Sequence, residues 1–129
     1  MNYVIDTNAV LYYLSDRDDL APDFRAVMDG SEPVHLSVMT KIELLSYPDL
    51  EPKDEGIINE FIRGLTICGL DEAVVEKTIA IRKEVRLKIP DAVIAATALV
   101  HHAILITQNQ EDFRKVGTLR LLAPLVLKS

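Results

Sequence analysis

The sequence predicts an α/β domain in three layers, a short parallel sheet of four to five strands flanked by helices. Short apolar runs such as Tyr3-Val4-Ile5 and Ala103-Ile104-Leu105-Ile106 alternate along the chain with longer segments of helical spacing. Strands separated by helices close right-handed crossovers, which leave the strands parallel and covered on both faces. The chain is also 129 residues long and 49% hydrophobic. That is enough for one packed core and too apolar for disorder, so residues 1–129 are expected to form a single domain.

Each element has its own warrant. Asn2–Asp6 reads as a short apolar strand, followed by a helix from about Asn8 to Ser15 and a polar turn at Asp16–Asp19. Pro22 suits the first turn of a helix running to about Asp29. Gly30-Ser31-Glu32-Pro33 breaks the chain before a second strand at Val34–Ser37, and Ser37 is placed to cap a helix that Pro48 terminates. After a loop at Asp49–Lys53, a helix runs from about Asp54 to Gly64, with Ile57, Ile58, Phe61, Ile62 and Leu65 at helical spacing. Leu65–Leu70 carries a third strand. Asp71 opens a long helix to about Leu87 whose buried face is Val74, Val75, Thr78, Ile81 and Val85. Pro90-Asp91 begins the most apolar helix, which ends near His101-His102. A fourth strand at Ala103–Thr107 and a fifth at Leu119–Leu122 complete the sheet.

The formal net charge of −6 argues against a general nucleic-acid coat protein, whose affinity rests on a basic surface. It leaves room for a nuclease, because an acidic metal site carries several of those charges and bound cations offset them. Arg82-Lys83, Arg86 and Lys88 form one basic cluster and Arg114-Lys115 another. The first also reads as the cationic end of a helix answering its dipole. The single cysteine, Cys68, sits in an apolar context, as a small buried residue of a reducing compartment does. No run approaches the roughly 18 apolar residues of a membrane span, and the N-terminus starts a strand with no basic-then-apolar leader. A soluble, cytoplasmic protein without a membrane partner is expected.

Four acids stand at the edges of apolar segments or inside them. Asp6 closes the first strand, Glu43 interrupts Ile42-Glu43-Leu44-Leu45, Asp91 opens Asp91-Ala92-Val93-Ile94, and Asp112 follows the fourth strand. Ligands of open parallel sheets bind beyond the carboxyl ends of the strands, where Asp6 and Thr107 both fall. Carboxylates gathered there repel one another in a partly desolvated site. A divalent cation relieves that repulsion, and oxygen-only ligands select hard ions such as Mg²⁺ or Mn²⁺. Metal-assisted phosphodiester chemistry is the expected use. Asp91 poses a difficulty: a helix antiparallel to the strand it feeds is expected to start away from that strand's carboxyl end, so Asp91 calls for a tilted or tucked helix start. Each residue also has a plainer reading. Asp6-Thr7-Asn8 are all capping types, Asp91 is favoured by the helix dipole, Asp112 suits a turn, and Ser37 and Thr40 suit a helix start. His35, His101 and His102 make no metal pattern, and no serine or cysteine pairs with a histidine as a nucleophile would.

Four blocks follow one another along almost the whole chain: Val4-Ile5-Asp6-Thr7-Asn8, Ser37-Val38-Met39-Thr40-Lys41-Ile42-Glu43-Leu44, Ile89-Pro90-Asp91-Ala92-Val93-Ile94-Ala95-Ala96-Thr97-Ala98 and Leu105-Ile106-Thr107-Gln108-Asn109-Gln110-Glu111-Asp112-Phe113. In this order and spacing, they make the chain resemble the PIN-domain ribonucleases, specifically the VapC-type toxins of bacterial and archaeal toxin–antitoxin pairs. The resemblance implies a PIN-like three-layer fold whose acidic pocket binds Mg²⁺ or Mn²⁺ and cuts RNA. It implies that Asp6 and Asp91 hold the metal, that Glu43 is a further ligand or orients the attacking water, and that Asp112 joins the catalytic set. Thr7, Asn8, Thr107 and Asn109 would support them from behind. Many relatives carry an acid two residues after the threonine, where this chain has Asn109; Asn109 offers a neutral oxygen there and Asp112 a charge. The resemblance also implies a cognate antitoxin, for which the apolar helices Leu20–Met28 and Ile57–Leu65 offer a groove, and a homodimer through the Asp91 helix.

Two other classes compete. A receiver or haloacid-dehalogenase-like phosphatase also gathers acids at sheet ends, but the phosphatase wants a second aspartate where Asn8 stands and the receiver a lysine after the last strand's threonine. A PIN-like interaction module without strong catalysis is the second, and Asp6, Glu43 and Asp91 all being present opposes it.

Overall fold

In the computed structural model, which describes residues 1–126, five strands form one parallel sheet. They are β1 (Asn2–Ile5), β2 (Val34–Ser37), β3 (Thr66–Cys68), β4 (Ala103–Ile106) and β5 (Leu121–Leu122), ordered β3-β2-β1-β4-β5. The end of the expected single domain, residues 127–129, lies outside the described residues. Period-two alternation on the central strands splits the core in two. Val4 and Leu105 face one cluster with Val74, Ile81 and Phe113, while Ile5, Ile106 and Leu36 face the other with Val10 and Phe24. One face is covered by α5 (Glu72–Glu84), α6 (Ile89–Val100) and α7 (Gln110–Phe113), the other by α1 (Thr7–Leu14), α2 (Pro22–Asp29), α3 (Val38–Leu45) and α4 (Pro52–Arg63). The three expected layers are present, and no helix among the described residues is long and apolar enough to cross a membrane.

The caps explain where helices start. The Asp6 carboxylate accepts from the Thr7 N–H and opens α1, one residue before the expected start. Ser37 accepts from the Met39 N–H and caps α3, as its position predicts. The fourth helix begins at Pro52 rather than Asp54, because Pro52 takes the first helical position after Glu51. The fifth ends at Glu84 rather than near Leu87: Val85 turns extended (φ −134°, ψ 155°), and Arg82 Nε donates to the Leu87 carbonyl. Arg82 and Lys83 do occupy its last turn, where they answer the helix dipole. Two expected core positions are exposed, Val75 at 40% and Ile57 at 44%. Both hold apolar spacing but lie on the rim of their helices.

The most apolar helix, α6, buries every residue from Ala92 to Ala98. Its small side chains bring it close against the sheet, and Thr97 satisfies its hydroxyl on the Val93 carbonyl at 2.7 Å. The direction of α6 resolves the difficulty over Asp91. Its C-terminal residue His101 accepts from Asn2 Nδ2 at 3.2 Å and stacks on His35 at 5.7 Å. The helix therefore ends beside the amino ends of β1 and β2, and its start lies at their carboxyl ends. No tilt is needed, because a helix descending antiparallel to the strands begins where the strands finish.

The histidine pair carries a pH dependence. His35 Nδ1 is buried with no hydrogen-bond partner among the described residues, and burial, then His101, holds the His35 pKa below its ordinary 6.5. The fold prefers neutral His35, so the unfolded chain takes up that proton first. The contribution is therefore complete above about pH 6.5 and is lost as pH falls from there toward the depressed folded value. Thermal unfolding of wild type and His35→Gln across this window should show wild type losing more stability. Parallel profiles would contradict the assignment.

Candidate active site

From β1 the chain steps outward to β2 and β3, then returns across the sheet to β4 and on to β5. Strand order therefore reverses between β1 and β4, and the loops leaving these neighbours diverge and open a crevice at their carboxyl ends. Asp6 follows β1 directly and Thr107 follows β4 directly. The Asp6 N–H still donates to the Ile106 carbonyl at 2.9 Å, so the ladder itself holds the residue at the crevice.

Asp6 is 5% exposed, and both of its carboxylate oxygens accept hydrogen bonds. Oδ1 accepts from the Thr7 N–H at 2.8 Å, and Oδ2 accepts from Thr107 Oγ1 at 2.7 Å and Asn8 Nδ2 at 3.3 Å. Around it, Thr7 Oγ1 donates to Glu43 Oε1 at 2.8 Å, which ties α3 to the start of α1. The Asn8 Oδ1 accepts from the Gln108 N–H at 3.1 Å, and Thr107 Oγ1 accepts from the Asn109 N–H at 3.1 Å. One network thus contains Asp6, Thr7, Asn8, Glu43, Thr107 and Asn109.

Electrostatics bring in the remaining acids. Burial raises the Asp6 pKa; the Thr107 and Thr7 hydrogen bonds oppose this, and the charges of Asp91 and Glu43 add to it. Burial also raises the Asp91 pKa, helped by Glu43 and Asp112 and opposed by Lys88. Asp112 behaves differently. Its hydrogen bond from Asn109 Nδ2 at 3.2 Å, then Lys115 at 3.4 Å, holds its pKa below the ordinary value. Asn109 in turn caps α7 and accepts from the Asp112 N–H. Asp6, Glu43 and Asp91 are thus mutually repelling, while Asp112 sits at the rim with its charge answered.

The donor set is all oxygen, which suits a hard divalent ion. No group of three or more His, Cys, Asp or Glu among the described residues closes a cage around an ion. Mg²⁺ takes one or two carboxylates and keeps several waters, a demand that Asp6 and Asp91 meet in chemistry. The sequence reading missed Gln108, whose backbone and side chain both join the network. It also missed α7, too short to show a period; Thr40, in the first turn of α3 as expected, is buried with its Oγ1 unpartnered among the described residues.

Comparison with known proteins agrees with the four sequence blocks. The PIN domain matches residues 3–119. Among solved structures, a chain of the toxin–antitoxin complex from Klebsiella pneumoniae is 26% identical, with a TM-score of 0.77, covering 97% of this chain and 99% of its own. A chain of VapBC2 from Rickettsia felis bound to a promoter DNA fragment is 20% identical, with a TM-score of 0.82 and coverage of 95% and 98%. A chain of DNA-bound VapBC from Salmonella typhimurium is 21% identical, with a TM-score of 0.80 and the same coverage. No curated protein matches significantly. With a match across nearly its whole length and the acidic crevice in place, the chain belongs to the PIN-domain family.

Proposed function

We propose that this chain is a divalent-metal-dependent endoribonuclease, the toxin of a toxin–antitoxin pair. The observation that carries the reading is Asp6: buried, fixed by three donors at the switch point, and repelled by Asp91 and Glu43. A fold keeps such a group where a cation or a developing charge repays the cost. The bound ion, Mg²⁺ or Mn²⁺, would supply Lewis-acid stabilisation of charge building on the phosphoryl oxygens. Asp6 and Asp91 would hold it. Thr107, Asn8 and the Thr7 N–H fix the Asp6 carboxylate so that little reorganisation accompanies binding. Glu43, engaged through Oε1 by Thr7, would use its second oxygen as a further ligand or to orient the attacking water. Lys88, which offsets the charge of both Asp91 and Asp112, receives the substrate's phosphate backbone in an otherwise acidic protein.

Incubating pure protein with total RNA, with and without Mg²⁺ or Mn²⁺, tests the reading, with Asp6→Asn as control. Metal-dependent cleavage absent from the variant supports it; an inert wild type favours the interaction-module reading. Asp112→Asn should lower activity about tenfold, against a thousandfold for a direct ligand, because Asn109 and Lys115 already engage its carboxylate. Asn109→Asp, which places a charge where relatives often have one, should tighten metal binding. Metal titrations of both variants check this, and an Asp112→Asn protein as dead as Asp91→Asn would overturn the ranking.

The antitoxin has a matching surface. A cleft of about 410 Å³ opens between Val27 and Met28 of α2 and Phe61 and Leu65 at the end of α4. A second, of about 280 Å³, lies between Leu11 and Leu14 of α1 and Ile57 and Ile58 of α4. Both accept the apolar face of an amphipathic helix. For a homodimer the available apolar groups are Val75 and Ile79, one turn apart on α5, and Ile89 at the start of α6, all exposed. Copurification with the neighbouring gene's product and sedimentation of the free chain test the two partners.

A further inference from the structure

We propose that Gln108 is a positioning residue for Asp6 and that the chain's C-terminal segment anchors it; this rests on the reading of Asp6 as a metal-holding carboxylate. An unbroken set of hydrogen bonds leads from that segment to the acid. The Leu125 N–H donates to Gln108 Oε1 at 3.3 Å, the Gln108 N–H to Asn8 Oδ1 at 3.1 Å, and Asn8 Nδ2 to Asp6 Oδ2 at 3.3 Å. The anchor is itself secured. Leu20 and Leu125 form an antiparallel bridge, the Ala21 N–H donates to the Pro124 carbonyl at 2.8 Å, and the Val126 N–H donates to the Asp19 carbonyl at 2.9 Å. The loop receiving the segment is stiffened by Arg17, which donates to both Asp19 carboxylate oxygens at 2.8 and 2.7 Å and lies over the Tyr12 ring at 4.7 Å.

The chemistry turns on the Asn8 amide. Its two ends have opposite character, one oxygen acceptor and one NH₂ donor. Asp6 needs the donor end, because an amide oxygen turned toward a carboxylate is repelled. Among the described residues the Gln108 N–H is the donor that holds the oxygen end away, so the backbone at residue 108 fixes which end Asp6 meets. That backbone is held by the Thr107 N–H on the Leu122 carbonyl and the Gln110 N–H on the Gln108 carbonyl, and the Gln108 side chain ties it further to Leu125. Residues 123–126, remote in sequence from Asp6, therefore keep the carboxylate oriented.

The experiment compares Gln108→Met, of similar length but without the carbonyl acceptor, with Gln108→Glu, which keeps an oxygen for the Leu125 N–H. Mn²⁺ affinity is read by electron paramagnetic resonance of the free ion, beside RNA cleavage and thermal unfolding. Gln108→Met should bind Mn²⁺ about tenfold more weakly and lose activity at limiting Mn²⁺ by the same factor, recovering at saturation. Gln108→Glu should stay within about twofold of wild type. Wild-type Mn²⁺ affinity in Gln108→Met, whatever its melting temperature, would overturn the proposal, as would a Gln108→Glu as weak as the methionine variant. A wild type that binds Mn²⁺ yet cuts no RNA would sink the nuclease reading alone, because weaker Mn²⁺ binding by Gln108→Met would still support the positioning role.

Discussion

Asp91→Asn is expected to abolish RNA cleavage, by roughly a thousandfold or more, while raising the melting temperature of the metal-free protein. On the proposed mechanism the loss follows from removing a ligand of the ion that would stabilise the transition state, about 4 kcal/mol of barrier for that factor. The stability gain follows from the causes of its raised pKa, which are burial and the charges of Glu43 and Asp112. An uncharged asparagine removes those penalties. Asp6→Asn should be equally inactive but gain less. Its NH₂ must replace an oxygen that now accepts from Thr7, or from Thr107 and Asn8, setting donor against donor. Titration offers the same relief without mutation. Both pKa values are raised in the fold from the ordinary 3.8, so this stabilisation is fully present below that value and is lost as pH rises through the folded values. Calorimetry of metal-free wild type and both variants decides the matter. An Asp91→Asn protein that melts earlier than wild type, or that cuts RNA normally, would remove Asp91 from the site.

Thr107→Val should be the most damaging conservative change. The hydroxyl is buried, donates to the Asp6 carboxylate and accepts from the Asn109 N–H. Valine keeps the shape and loses both bonds. A hydrogen bond to a charged group contributes roughly 1.5–3 kcal/mol, which in a chain of this size corresponds to a drop of about 6–12 °C in melting temperature. The Asp6 pKa should climb further, because the Thr107 bond is the largest effect holding it down. The stability gap between variant and wild type should therefore narrow as the pH is lowered and Asp6 becomes neutral. A gap that is small at pH 7, or that widens in acid, would mean that Thr107 only fills space.

The sheet was legible because its strands are short apolar runs bounded by strong breaks, such as Gly30–Pro33 before β2. Caps were legible where a side chain acts on its own helix, as Ser37 and Asp71 do. Errors came where backbone conformation outran side-chain pattern. Val85 continues the apolar spacing of α5 but is already extended. The acids were visible as charges in apolar surroundings, and their convergence followed from strand order. Asp91 was misplaced by an error of direction rather than a missing signal. Gln108 left no such trace, since its partners are the Leu125 N–H, 17 residues on, and the side-chain amide oxygen of Asn8, 100 residues back.

The central position of β1 has a consequence for biosynthesis. All the helices from α1 to α6 are made between this strand and one of its two neighbours, Ala103–Ile106. Closing so long a loop is slow and entropically costly. Until it closes, Asp6 has neither the Thr107 hydroxyl, 101 residues away, nor the acid on α6. A nascent chain thus holds an unassembled crevice until β4 has emerged. The acidic crevice is completed only after the six helices between β1 and β4 have been made.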